Sequence, residues 1–127
     1  MSENLPDGVA AFTERLFDMA RAGETGAVLE QIDSGVPADT ADSQGSTLLM
    51  LAAYHGHADL VAGLAKRGAD VDRVSGRGQT PLAGAVFKQH DDVVRVLLAA
   101  GADPDAGTPS ARQTAQMFGR ALPDTSG

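Results

Sequence analysis

Residues 46–57 read STLLMLAAYHGH, and 33 positions further on residues 79–90 read QTPLAGAVFKQH. Both segments place a threonine ahead of an apolar run, small residues within the run and a histidine at its end. The same spacing of 33 recurs around them, in Gly35, Gly68 and Gly101 and in Asp39, Asp72 and Asp105. A fixed period of this length indicates a repeat architecture, in which each unit buries its apolar face against its neighbours.

Each repeat is predicted to contain two helices joined by a short turn. Thr47 and Thr80 stand directly before apolar runs, where a side-chain hydroxyl can accept a hydrogen bond from the first helical turn. Pro81 suits the first helical position, and Gly56 can take the left-handed conformation that ends a first helix. The apolar residues 60–65 then predict the second helix of that repeat.

This pattern resembles the ankyrin repeat, whose tetrapeptide, Gly-His turn and closing Gly-Ala-Asp are matched at four places. They are Thr80-Pro81-Leu82-Ala83, Gly56-His57, Gly68-Ala69-Asp70 and Gly101-Ala102-Asp103. The resemblance covers about residues 12–122 and implies an all-α fold, a solenoid of stacked helix-turn-helix repeats with protruding β-turn loops. We expect one domain over residues 1–127. Its repeats are predicted at residues 12–44 as an N-terminal cap, at 45–77, at 78–107 and at 108–122 as a partial C-terminal cap.

Several positions depart from the ankyrin pattern and predict modest stability. Met50 and Ala83 stand where the tetrapeptide usually has its His, and Gln89 replaces the turn glycine. Gly63 and Gly84 fall within predicted helices. A glycine inside a helix costs about 0.5 to 1 kcal/mol relative to alanine.

The composition narrows the classes of function. The chain has 127 residues, a formal net charge of −7 and no cysteine. The lack of cysteine excludes a disulfide framework, a thiol nucleophile and a thiolate metal site. The acidic balance points away from nucleic acid, because binding to phosphates requires Lys and Arg to release counterions.

The sequence also predicts a cytoplasmic protein that does not bind membranes. The first nine residues lack the basic and apolar regions of a signal peptide, and no segment approaches about 18 consecutive apolar residues. The excess of Arg over Lys, with abundant Ala and Gly, favours a bacterial source. About eight residues at the start and residues 123–127 at the end are expected to be frayed.

The resemblance implies a surface for binding a protein partner. Ankyrin repeats usually bind on the concave side, through the loop tips and the exposed ends of the first helices. The residues predicted here are Arg21, Ser43, Gln44, Tyr54, His55, Arg73, Arg77, Gln79, Phe87, Lys88 and Phe118. Tyr54 and Phe87 lie 33 apart at outward positions, and exposed aromatic side chains are typical of interaction hot spots. Alternatively, these two rings fold back to fill gaps left by Gly84 and by the missing tetrapeptide histidines.

The histidines leave a second interpretation open. His55 and His57 could hold a metal ion or a small ligand, although His57 and His90 occupy the turn position of the ankyrin pattern and zinc requires further ligands. No phosphate-binding loop or nucleophile elbow is present. We therefore expect a non-catalytic protein without cofactors. It is expected to be monomeric, with self-association through the Phe118 end or the aromatic strip as an alternative.

Overall fold

Seven helices make up the regular structure of residues 7–123, the part of the chain that the computed structural model describes. They are α1 (Asp7–Ala22), α2 (Thr25–Asp33), α3 (Leu48–Tyr54), α4 (Ala58–Lys66), α5 (Pro81–Phe87), α6 (Asp91–Ala99) and α7 (Ala111–Met117). Helices α1, α3, α5 and α7 pack side by side in one layer, and α2, α4 and α6 form a second layer. The predicted all-α solenoid is confirmed. The exact repeat bounds stay a prediction.

The predicted fraying lies mostly outside the described residues. Residues 1–6 and 124–127 are not described, whereas residues 7 and 8 belong to α1 and Pro123 has no regular structure.

Hydroxyl side chains begin three of the first-layer helices. The side chains of Thr47 and Thr80 accept hydrogen bonds of 3.1 Å from the backbone N–H of Met50 and Ala83, as the sequence predicts. Ser110 begins α7 in the same way and forms a reciprocal capping box with Gln113. Such a cap is worth about 1 kcal/mol to a helix. This helps helices of only seven residues to form.

Histidines of the second layer connect each repeat to the one before it. The Nε2 atom of His57 lies 2.6 Å from the backbone oxygen of Arg21, and that of His90 lies 3.1 Å from the backbone oxygen of Tyr54. The His90 ring covers Gly56, where an added Cβ would lie 2.9 Å from the ring. Glycine is therefore needed at Gly56 for its positive φ of 84° and for this close approach.

The recurring aspartates also join adjacent repeats. The Oδ1 atom of Asp39 accepts a 2.8 Å hydrogen bond from the backbone N–H of Asp70, and Asp72 does the same for Asp103. Asp103 in turn accepts from the N–H of Asp105, two residues on, as expected of a turn former. The period of 33 in aspartate thus reflects a polar ladder as well as local turns.

The core between the layers consists mainly of leucine, valine and alanine. Its fully buried large side chains include Leu16, Leu48, Leu49, Leu60, Leu64, Leu82 and Leu97. Gly63 in α4 faces Leu29 of α2, and a Cβ at this position would overlap the Leu29 side chain. The cost of a helical glycine at Gly63 is therefore offset by closer packing of the two helices, which helix propensity alone does not show.

Candidate functional site

Large apolar side chains are exposed at the C-terminal ends of three first-layer helices. The exposed fractions are 38% for Tyr54, 48% for Phe87, 71% for Met117 and 40% for Phe118. We call these helix ends, together with the exposed end of α1 and the loop tips at residues 42–46 and 75–79, the first-helix surface. Exposed apolar groups that lie side by side are a feature of interaction sites.

These side chains contact one another across repeats. The rings of Phe87 and Phe118 lie 5.9 Å apart between centroids, and the Nζ atom of Lys88 lies 5.1 Å from the centroid of Tyr54. The Tyr54 ring also packs over Gly84, at 3.4 Å from the position of an added Cβ. Tyr54 therefore contacts the backbone of the next repeat at Gly84 and still exposes more than a third of its surface.

A groove of about 150 Å³ opens beside Tyr54, between α3, α5 and the loop that precedes α5. It is lined by Ser46, Met50, Leu51, Tyr54, Ser75, Gln79, Thr80, Pro81 and Gly84. The lining combines an apolar floor with hydroxyl and amide groups at the loop side. Of these residues, Tyr54 and Gln79 are among those predicted above to bind a partner.

The predicted residues of the loop tips lie together at one edge of this surface. Ser43, Gln44, Arg73, Arg77 and Gln79 are all exposed. The two tips are held side by side because the backbone N–H of residue 76 donates a 3.0 Å hydrogen bond to the backbone oxygen of Gln44. Within residues 7–123, neither Arg73 nor Arg77 forms an ion pair.

Arg21 and His55 occupy the N-terminal part of the first-helix surface. Arg21 is held by Asp18 at 2.8 Å. His55 packs edge-on against Tyr54 and parallel to His57, with ring centroids at 5.6 and 6.5 Å. The pKa of His55 is lowered, first by burial and then by the positive charges of its neighbours, which are His57, Arg21, Lys88 and His90.

The geometry does not favour a metal site at the histidines. The Nε2 atom of His57 is engaged by the backbone oxygen of Arg21 at 2.6 Å. Over the described part of the chain, no group of three His, Cys, Asp or Glu side chains is placed to hold a metal ion. A structural zinc site needs four ligands.

Comparison with known proteins identifies the family. The family model of ankyrin repeats, with three copies, matches residues 16–108. The chain belongs to the ankyrin-repeat family. Ankyrin repeats generally mediate protein–protein interaction and are typically non-catalytic.

Three ankyrin-repeat relatives show how far the similarity extends. An ankyrin repeat protein of Pseudomonas aeruginosa is 44% identical over 50 residues, which cover 39% of this chain and 29% of the relative. An ankyrin repeat-containing protein of Schizosaccharomyces pombe is 38% identical over 58 residues, covering 46% and 28%. The human ankyrin repeat domain-containing protein 29 is 47% identical over 55 residues, covering 42% and 18%. The matches thus span less than a third of each relative.

No helix within residues 7–123 of this ankyrin-repeat chain is long and apolar enough to cross a membrane.

The groove residues Met50, Pro81 and Gly84 were not predicted as site residues from the sequence. The sequence held one signal for the groove. Gly84 stands one period after Leu51, so the second copy of the repeat has no side chain where the first copy has a large one.

Proposed function

We propose that this ankyrin-repeat chain is a non-catalytic adaptor or regulatory subunit that binds a protein partner on its first-helix surface. The observation that carries the proposal is the row of exposed Tyr54, Phe87, Met117 and Phe118 at the ends of adjacent helices. Exposing aromatic rings on successive repeats is unfavourable, because burying apolar area is worth about 25 cal/mol per Å². A bound partner that covers these rings would recover this free energy.

Binding would proceed by docking onto a preformed surface. The rings are fixed by their own contacts, Phe87 with Phe118 and Tyr54 with Lys88 and Gly84. A surface that is already ordered loses little side-chain entropy on association. Truncating an aromatic anchor at the centre of an interface typically costs about 2 kcal/mol or more, so Tyr54 and Phe87 would be the residues whose removal weakens binding most.

The partner is proposed to be a protein that the chain meets in the cytoplasm as a monomer, rather than a nucleic acid or a membrane. The net charge of −7 opposes binding to phosphate backbones and to anionic lipids. The lack of cysteine suits a reducing compartment.

The test is affinity capture from a lysate of the source organism, with retained proteins identified by mass spectrometry. The native chain and a Tyr54→Ala/Phe87→Ala variant are compared with a control variant, Glu30→Ala/Arg95→Ala, whose exposed residues lie on the second helix layer. We expect a protein that the native chain and the control retain and the aromatic variant loses. Equal retention by all three would contradict the proposed surface.

Sedimentation of the native chain over a range of concentrations checks the monomeric state. A mass that rises with concentration, and that the Tyr54→Ala/Phe87→Ala variant abolishes, would assign the aromatic row to self-association instead. The variant must first show the helical circular dichroism of the native chain.

A further inference from the structure

We infer that the partner presents an acidic segment to the first-helix surface, with one apolar side chain that enters the groove over Gly84. This inference rests on the proposed function and specifies the chemistry of the partner. It depends on the lack of acidic residues in α3, α5 and α7 and on the shape and lining of the groove.

Acidic residues are missing from three of the four first-layer helices; the exception is α1, which contains Asp7, Glu14 and Asp18. Helices α3, α5 and α7 contain no Asp or Glu, whereas α2, α4 and α6 all contain acidic residues. Asp42, in the loop before α3, directs its carboxylate to the backbone N–H groups of Gln44 and Ser46. A protein with a net charge of −7 thus keeps the ends of three adjacent helices free of carboxylates.

Two exposed cations next to the groove have no ion-pair partner among the described residues, whereas Arg21, at the α1 end of the surface, pairs with Asp18. Outside it, three arginines form ion pairs of 2.8 Å with aspartates, namely Arg67 with Asp33, Arg112 with Asp105 and Arg120 with Asp91. Lys66 and Arg95, also outside it, form none within residues 7–123. On it, Lys88 and Arg77 are exposed and form no ion pair within residues 7–123. Cations without an internal partner can pair with carboxylates of another molecule and give up no existing ion pair.

Lys88 and Arg77 lie next to residues that line the groove. The Lys88 ammonium lies over Tyr54, which lines the groove, and Arg77 stands in the loop between the lining residues Ser75 and Gln79. An acidic segment bound along the groove would have Lys88 and Arg77 within its neighbourhood as pairing partners. His55, beside Tyr54, could add a third positive charge when protonated.

The groove itself selects an apolar anchor. Its volume of about 150 Å³ is comparable to an engineered protein cavity that accommodates benzene, so it holds one side chain of the size of Leu or Phe. Met50, Tyr54 and Pro81 supply apolar walls, and Gly84 contributes no side chain to the space next to the Tyr54 ring. The hydroxyl and amide groups of Ser46, Ser75 and Gln79 at the rim can bond to the backbone of the bound segment.

The test is selection of random-sequence peptides displayed against the immobilised native chain, followed by fluorescence anisotropy on the enriched peptides. We expect enrichment of peptides with several Asp or Glu residues around one apolar residue. The affinity of these peptides should fall by at least about tenfold in an Arg77→Glu/Lys88→Glu variant. A tenfold change corresponds to about 1.4 kcal/mol of binding free energy. A control variant, Lys66→Glu/Arg95→Glu, reverses two exposed charges on the second layer and should bind them as the native chain does.

A Gly84→Leu variant tests the anchor separately, because its side chain would occupy the groove. This variant should bind peptides that contain the apolar residue more weakly than the native chain does. It should bind matched peptides in which that residue is Ser, which are weaker ligands, with unchanged affinity. If this variant does not fold, Gly84→Ala should show the same preference with a smaller effect.

Enrichment of neutral or basic peptides, no enrichment at all, or binding within about twofold in the charge-reversed variant would overturn the inference. Tight binding of a single-stranded oligonucleotide that the same variant abolishes would also overturn it. A lysate protein that is lost by Tyr54→Ala/Phe87→Ala but retained by Arg77→Glu/Lys88→Glu would leave the proposed function intact and refute only the acidic segment.

Discussion

The ammonium group of Lys88 lies 5.1 Å from the centre of the Tyr54 ring, so residues of two successive repeats contact each other on the exposed surface. Tyr54 ends α3, and Lys88 directly follows α5. The Tyr54 ring also rests on Gly84, in the middle of α5. The backbone oxygen of Tyr54 bonds to the ring of His90, at the start of α6. A single aromatic residue therefore links the candidate site to the packing between repeats.

We expect Tyr54 and Lys88 to be coupled weakly but measurably. A cation over an exposed aromatic ring is worth about 0.5 to 1 kcal/mol. A double-mutant cycle with Tyr54→Leu and Lys88→Met, measured by urea unfolding, should give a coupling energy in this range. The matched cycle of Tyr54→Leu with Lys66→Met, on the other layer, should give none. Equal coupling in the two cycles would contradict the contact.

Alanine should have opposite effects at the two helix-interior glycines. At Gly84 an added Cβ makes an ordinary contact with Tyr54, so Gly84→Ala should raise the free energy of unfolding by about 0.5 to 1 kcal/mol through helix propensity. At Gly63 the added Cβ overlaps Leu29, so Gly63→Ala should give no gain or a loss. Thermal melts of the two variants beside the native chain check this. A larger gain at Gly63 than at Gly84 would refute the packing of Leu29.

The two neighbouring histidines should differ in their importance for stability. His57→Ala removes the hydrogen bond to the backbone oxygen of Arg21 and the ring that covers the preceding turn, and should cost about 1 to 2 kcal/mol. His55→Ala, at neutral pH, should cost clearly less because His55 is exposed. Urea unfolding at pH 7 measures both. A larger loss at His55 would show that the bond of His57 contributes little.

Much of this fold could be predicted from local sequence signals. The helix starts at Thr47 and Thr80 and the turn at Gly56 follow from short-range rules of capping and backbone conformation, and the structure confirms them. The aromatic positions Tyr54 and Phe87 followed from the same register, and both are exposed.

The groove and the contacts between repeats could not be predicted in this way. They depend on which side chains meet across elements that are about one period apart in sequence. Gly63 faces Leu29 and Gly84 faces Tyr54. In the sequence, a helix-interior glycine that only destabilises the helix looks the same as one that allows another side chain to pack closely. Likewise, the bond between Asp39 and Asp70 joins neighbouring repeats, whereas a turn-forming aspartate acts within one.

The turn after α5 should be stabilised by glycine. Gln89 has a φ of 62°, in the left-handed region where a residue with a side chain is disfavoured by about 1 kcal/mol relative to glycine. Gln89→Gly should therefore raise the melting temperature. The reverse change at the equivalent position, Gly56→Ala, should lower it, because a side chain there is strained and meets the His90 ring. An unchanged or lower melting temperature for Gln89→Gly would show that the Gln89 side chain makes compensating contacts.

Acidification should destabilise the folded chain in part through His55. Burial and the surrounding positive charges lower the pKa of His55 in the folded state below its ordinary value of 6.5. Between the two pKa values the unfolded chain binds more protons, so stability at this site is full above the unfolded pKa and is lost as the pH falls through it toward the folded pKa. A His55→Gln variant should therefore lose less stability than the native chain when urea unfolding is compared at about pH 7.5 and about pH 5.5.

Binding of an acidic segment next to His55 should reverse this trend for the complex. Carboxylates close to the ring favour the protonated imidazole and raise its pKa, so binding should take up a proton and tighten as the pH falls from about 7.5 toward about 6. Calorimetry of an enriched acidic peptide in buffers of different ionisation enthalpy measures this uptake, with His55→Gln as the variant that should lose it. The same proton uptake in His55→Gln would assign the titration to another group, and no uptake by the native chain would place the bound carboxylates away from His55.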